Sequence, residues 1–273
     1  MNGAGWACPT CAARCDAAAR HCSACGEQRL PLPGWRFSLA RWRLTLRCLV
    51  LQPGRLTADH AQGRRQPYVP PLSLFLAINV VFFVAQSLSG LSVLSIGLNS
   101  HLQGQRYSAL ASDMVAQRLA RRPLDRERFE DRFALQQQTL AKATAIVMAP
   151  LLALASWACF RRRGGATGRT HLVFALHFYA FVLLFLTVFF GLLAPLLGLL
   201  QHWGHVPAHA DLDNFATAIE AVVIGSYFYL AAGRVFGAGR LWRLLAAVVL
   251  VFAVLWTLYL HRFAIFLATV WMV

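Results

Sequence analysis

Five runs of nearly unbroken apolar residues, roughly 72–96, 139–160, 172–200, 215–232 and 244–267, are separated by polar or arginine-rich connections. A helix needs about 20 apolar residues to cross a hydrocarbon core, so each run predicts a transmembrane helix. The expected fold is an all-α polytopic membrane protein with about five spans over residues 72–273. Asn79 and Gln86 break the first run and are expected to face other helices. The third run is longer than a straight crossing requires and holds Pro195, which predicts a kink or a tilted end. Between the first two spans, about 97–138, the pattern predicts an external helical loop. There "YSALASDMVAQRLARR" puts Leu110, Met114 and Leu119 near one face, and Pro123 stops that helix. A second helix starts near Asp125 and continues into the membrane, with Phe129 and Phe133 four apart on one face. No inverted repeat of the transporter type is visible.

Upstream of the spans, residues 31–71 form a second zone. Pro31, Pro33 and Gly34 break the chain before "WRFSLARWRLTLRCLVL", which alternates large apolar residues with Arg36, Arg41, Arg43 and Arg47 and has no acid. Such a segment suits a helix lying in the headgroup layer with its arginines snorkelling to phosphates; a strand or a buried soluble helix is the alternative. The following "QPGRLTADHAQGRRQPYVPP" is too polar to cross. Its Arg64, Arg65 and Tyr68, with Arg55 nearby, sit just before the first span. An arginine fork there can grip a lipid phosphate or a carboxylate, or merely anchor the chain as loop cations do.

Charge then sets the expected orientation. Of 26 Lys and Arg, ten lie in residues 1–71, four in 161–169 and three in 234–243. The alternate set holds the other nine, and "QHWGHVPAHADLDN" has none. Cytoplasmic loops carry the excess of cations, so the N-terminus and the arginine-rich turns are expected in the cytoplasm. The long loop, the His-rich loop and the C-terminus then lie outside. The membrane expected is a bacterial inner membrane. Net charge of +15 in a chain of mean hydropathy +0.52 points to anionic headgroups as partner; nucleic acid is disfavoured, because aromatic interleaving is thin.

The first thirty residues are different again: Cys-rich, polar and without a signal-type apolar core. In "CPTCAARCDAAARHCSACGEQ" Cys8 and Cys11 form one Cys-x-x-Cys pair and Cys22 and Cys25 another, ten residues apart. Two intervening residues let both thiolates of a pair reach one ion from a tight turn, and Gly26 suits the turn's backbone. Four thiolates predict a small N-terminal zinc ribbon, one structural ion supplying folding energy that thirty residues cannot bury for themselves. Iron uses the same ligands and stays open; Cys15 and His21 are spare donors. A redox role lacks its βαβ context. Cys48 and Cys159 read as small apolar residues in or near the membrane.

Within the spans Glu220 is the one apparent acid, a functional candidate by its location alone. His171 and His177, six apart, project about 120° from each other on an ideal helix. They are expected to hydrogen-bond between helices and not to share a ligand; His177 with Glu220 is a possible intramembrane polar site. His202, His205, His209, Asp211 and Asp213 crowd one external loop with metal-type donors. No phosphate-binding glycine loop and no nucleophile elbow occurs.

Several of these pieces together resemble the bacterial domain-of-unknown-function family 3667: the Cys-rich head, "LQPGRLTADHAQGRRQPYVPPLSLFLAINVVFF" and "HLVFALHFYAF". The matching positions are Pro53, Gly54, Gly63, Arg64, Arg65, Tyr68 and Pro70, then His171, His177 and Phe181. Ala12 stands where the first knuckle usually has glycine, and Cys15 is extra. The resemblance implies a zinc ribbon joined to a few spans, and no activity. The function expected is a non-enzymatic inner-membrane adaptor, assembly or regulatory protein whose cytosolic ribbon contacts a protein partner. A small-molecule transporter or lipid-handling protein is the alternative.

Overall fold

A computed structural model describes residues 5–8, 11–24, 26, 38–65, 67–89, 96–121, 125–162, 166–203 and 209–273. Strands β1 (Trp6–Ala7) and β2 (Arg14–Cys15) pair antiparallel as a small hairpin. Ten α-helices follow among the described residues: α1 (Leu39–Leu51), α2 (Arg55–Ala61), α3 (Pro71–Ser89), α4 (Leu98–Gln103), α5 (Ser108–Arg121), α6 (Arg126–Thr144), α7 (Met148–Phe160), α8 (Gly168–His202), α9 (His209–Phe236) and α10 (Arg240–Met272).

Four helices, α3, α8, α9 and α10, are long and apolar enough to cross a bilayer, and a fifth span arises if α6 and α7 count as one. The chain is a multi-pass membrane protein of helical class. The predicted second span differs in form: α6 and α7 meet at a 49° bend, with the short 3₁₀ turn Ala145–Val147 between them. Thr144 sits at the break, its hydroxyl donating to the Leu140 carbonyl at 2.7 Å and lying 3.0 Å from His261 Nε2 on α10. A hydroxyl that bonds back to its own helix and outward to a neighbour bends a helix without proline. Helix α8 runs on through Pro195 to His202. The predicted apolar tail continues α10 to Met272, with Val270 and Val273 buried.

Helix α8 is the centre of the bundle. Its apolar window is 61% buried, against 22–33% for the other three, and it packs on α3, α7 and α2. Aromatic rings fill the seam at its first half. Phe160 stacks on Phe236 at 4.2 Å, His171 on Phe236 at 5.1 Å, Phe178 on Phe228 at 4.4 Å and Phe181 on Tyr227 at 4.6 Å. The end of α7, the start of α8 and the end of α9 therefore meet at one end of the bundle, together with α1 and α2. At the other end α4, α5 and α6 pack on the last turns of α10, where Phe129, Phe133 and Phe266 are fully buried. Phe129 and Phe133 do share a face; on α5 the buried residues are Ala111 and Val115, the predicted Met114 and Leu119 pack against the same core, and the predicted Leu110 is half exposed. Large exposed side chains such as Val80, Val84, Phe252 and Trp256 line the outer surfaces of the spans, an arrangement lipid accepts at no cost and water does not.

Helix α2 reaches the bundle only because the turn before it has no side chain. Gly54, at φ +84°, precedes α2, and a Cβ there would stand 2.7 Å from Ala231 Cα on α9. A left-handed residue with a Cβ costs roughly 1–2 kcal/mol before the clash is counted. Gly54→Ala is therefore expected to destabilise the full chain by ~2 kcal/mol or more, read as a lowered thermal midpoint in detergent; an unchanged midpoint would show that α2 does not seat against α9.

Candidate functional sites

The stretch from Pro53 to Val69 is a hook folded into the arginine-rich end of the bundle, and its centre is a carboxylate. Asp59 lies on the buried face of α2 with Leu56 and Thr57 and is 8% exposed. It is the one acid between Glu27 and Asp113. Arg64 Nη2 donates to Asp59 Oδ1 at 2.5 Å, and Tyr68 Oη donates to Oδ2 at 2.6 Å. Arg55 Nε stands 3.6 Å from Oδ2, one helical turn back. Burying a charge without partners is costly; here three donors from one seventeen-residue stretch close around it. Burial first, and then the hydrogen bond to Asp59, push the Tyr68 phenol up to about 12.

The backbone explains why these residues converge. Gly63, at φ +82°, ends α2 in a left-handed turn. Its N–H donates to the His60 carbonyl at 3.1 Å, and Arg64 N–H donates to the Asp59 carbonyl at 2.9 Å. This double closure is a Schellman cap, and it returns Arg64 onto the very residue whose side chain it pairs. Tyr68 is then held from outside: its carbonyl accepts from Arg41 Nη2 at 2.5 Å, and Val69 N–H donates to Thr45 Oγ1 at 3.0 Å. Both partners belong to α1, whose buried residues are Thr45, Cys48 and Leu49. At the other end of the hook, Arg234 Nη1 on α9 donates to the Pro53 carbonyl at 2.8 Å.

Thr57 fixes the hook to the bundle's centre. Its hydroxyl lies 2.9 Å from His177 Nδ1 on α8, and both residues are buried. His171 instead bonds Ser156 Oγ on α7 at 2.8 Å, so the two histidines serve different neighbours, as their 120° separation requires. Glu220 is not brought to His177. Tyr227 already packs at the level of Phe181, and Glu220 lies seven residues, ~10 Å, from Tyr227 along α9, on the side away from His177. Arg55, Arg64 and Tyr68 turn inward on Asp59, while Arg65 has a buried Nε with no hydrogen-bond partner.

Three features escaped the sequence reading: Asp59, Thr57 and a second polar knot at the opposite end. There His101 bonds Tyr107 Oη at 2.7 Å through Nδ1 and Gln137 Nε2 at 2.6 Å through Nε2. The signal for Asp59 was its isolation among arginines, with Arg55 one turn before it. His101 carried none.

The Cys-rich head is the other candidate site. Sγ atoms of Cys8, Cys11 and Cys22 all lie within 4.8 Å of one another, a set able to hold a metal ion. Cys25 lies outside the described residues, as do 204–208 of the His-rich loop. The two knuckles repeat one backbone device: Ala12 N–H donates to the Cys8 carbonyl at 2.9 Å, and Gly26 N–H to the Cys22 carbonyl at 2.8 Å. Gly26 takes φ +73° as its glycine allows, and Ala12 takes φ +59° without that freedom. Cys15 is buried against the same cluster, and that burial pushes its thiol up.

His60 follows Asp59 and is half-buried. Burial, then the charges of Arg65 and Arg169, hold its imidazole down to about 4 from 6.5. As pH falls, the unfolded chain therefore takes up this proton first. The stability that His60 contributes is complete above pH 6.5 and is lost between there and about 4. In thermal unfolding followed from about pH 7 to about pH 4.5, His60→Gln is expected to lose less stability than the parent; equal losses would remove His60 from the balance.

No curated protein and no solved structure matches the chain. Residues 42–83, from within α1 through the whole hook and into α3, match the family model described as "Protein of unknown function (DUF3667)". The chain thus carries that family's segment, and the Asp59 hook lies wholly inside it.

Proposed function

We propose that the protein is a non-enzymatic membrane adaptor: a metal-folded head on the cytoplasmic side contacts a protein partner while the helical bundle anchors it. The observation that carries this reading is the convergence of three thiols, Cys8, Cys11 and Cys22, behind a two-strand hairpin. Thiolate donors with Cys-x-x-Cys spacing suit zinc in a closed structural site, with Cys25 as fourth donor; iron takes the same ligands, and Cys15 is the nearest substitute. Such a site folds a binding module and leaves no open position for chemistry.

Orientation follows from charge. The bundle end that holds the hook also gathers the arginine-rich ends of α7, α8, α9 and α10, which supports placing that end, and the head with it, on the cytoplasmic side of a bacterial inner membrane. Arg55 and Arg64 are about half exposed even while paired to Asp59 (side chains 50% and 58%), so they and Arg65 still offer cations to anionic headgroups or to the partner. The transport or lipid-handling alternative draws on Glu220, an acid within the α9 span.

The full chain purified from its membrane is expected to hold one zinc per molecule by mass spectrometry of metals. Cys22→Ala should lose both the metal and a partner crosslinked from the head in cells, while inserting normally. A parent free of metal, or a crosslink that survives Cys22→Ala, would remove the adaptor reading. Ala12→Gly relieves the left-handed strain at the cost of some chain entropy. Metal retention against a chelator should therefore tighten roughly two- to fivefold; weaker retention would show that the knuckle does not close through Ala12.

A further inference from the structure

Outside the hook, a groove of about 720 Å³ runs along α10 beneath the turn that joins α4 to α5. Its rim is Gly104, Gln105 and Arg106, and its floor is the α10 face from Val249 to Tyr259. That floor spans eleven residues, ~15 Å from first to last on a helix, which is half of a ~30 Å hydrocarbon core and so one leaflet deep. Trp256 and Tyr259 stack flat at 5.2 Å near the rim, and Phe252, 66% exposed, lies deeper. Polar rim, aromatic collar and apolar floor follow in the order that a membrane interface imposes.

The rim is built and held. Ser108 Oγ donates to the Gln105 carbonyl at 2.5 Å and accepts from Gln105 N–H at 3.0 Å, closing the turn. Tyr107, the next residue after Arg106, is buried, bonded to His101, and its ring meets Phe263 at 4.7 Å and Tyr259 at 5.6 Å. The turn is thereby pinned to α10. Arg106 is left exposed at the mouth, with no ion pair or hydrogen bond among the described residues. A guanidinium carried on a pinned turn at the groove's mouth is matched in shape and charge to a phosphate, and an apolar slot opening to lipid is matched to an acyl chain.

We propose that this groove binds one anionic glycerophospholipid of the leaflet that meets α4 and α5, its phosphate on Arg106 and one chain over Trp256 and Phe252. The site lies at the end of the bundle opposite the hook and stands independently of the adaptor reading. It also explains why a short loop helix is tied so firmly to a span: the tie holds the cation over the slot.

The test uses the full chain in nanodiscs of phosphatidylcholine doped with brominated phosphatidylglycerol or brominated phosphatidylcholine. Trp256 quenching is isolated by difference from Trp256→Phe. One arginine near an anionic surface predicts about fivefold preferential quenching by the phosphatidylglycerol probe. Arg106→Gln, a change at an exposed side chain, should bring the ratio to about one, and Ala253→Phe, which fills the slot, should do the same with Arg106 in place. Equal quenching by both probes in the parent, or a preference that survives either substitution, would mean annular lipid only and overturn the proposal.

Discussion

A carboxylate placed inside an arginine-rich, membrane-bound stretch must be satisfied locally or expelled, and the arrangement around Asp59 is the local solution. Arg64, Tyr68 and Arg55 all come from the same short segment. Closing them around one residue forces the chain to double back between Pro53 and Val69. Helix α2 is only seven residues long, too short to persist alone in water; its existence depends on this closure and on Leu56, Thr57 and Asp59 being buried. Pro53 and Gly54 then dock on α9 through Arg234 and Ala231, and Thr57 docks on α8 through His177. The basic helix α1 inherits its position from Tyr68 and Val69 by way of Arg41 and Thr45. One ion cluster thus couples the segment before the spans to three separate helices.

This coupling bears on what the head can do. Because the hook is seated on α8 through Thr57 and on α9 through Pro53, the described segment before the spans is rooted at the bundle's end. Under the adaptor proposal, a partner of the head would meet the cations of Arg55, Arg64, Arg65 and Arg169 at that end of the bundle. The two ends of the bundle use the same economy with different parts: Asp59 with arginines at one, His101 with Tyr107 and Gln137 at the other. In each case a short helix too weak to stand alone is pinned to a span by a buried polar contact.

Composition and periodicity made the spans legible because burial in lipid demands long apolar runs whatever the neighbours are. The paired phenylalanines of α6 and the glycine after the second knuckle were legible for similarly local reasons: one follows from helix pitch, the other from backbone sterics. The hook was half legible. Gly54, Gly63, Arg64 and Tyr68 stood out as a pattern, but the pattern says nothing about which acid they close upon, since that depends on a turn that brings positions 59, 64 and 68 together. The bend at Thr144 was invisible because its cause, His261, lies more than a hundred residues away. On α5 Ala111 and Val115 enter the cluster that holds Tyr107 and Phe266, with Met114 and Leu119 at its edge, and only Leu110 of the predicted face stays outside.

The most direct measurement is hydrogen–deuterium exchange of the full chain in nanodiscs, read over residues 53–70. If Asp59 organises the hook, amides from Ala58 to Arg64 exchange slowly in the parent and speed up together in Asp59→Asn, while the middle of α8 keeps its protection. Exchange in the parent as fast as in an unstructured peptide, or protection left untouched when Asp59 loses its charge, would contradict the account.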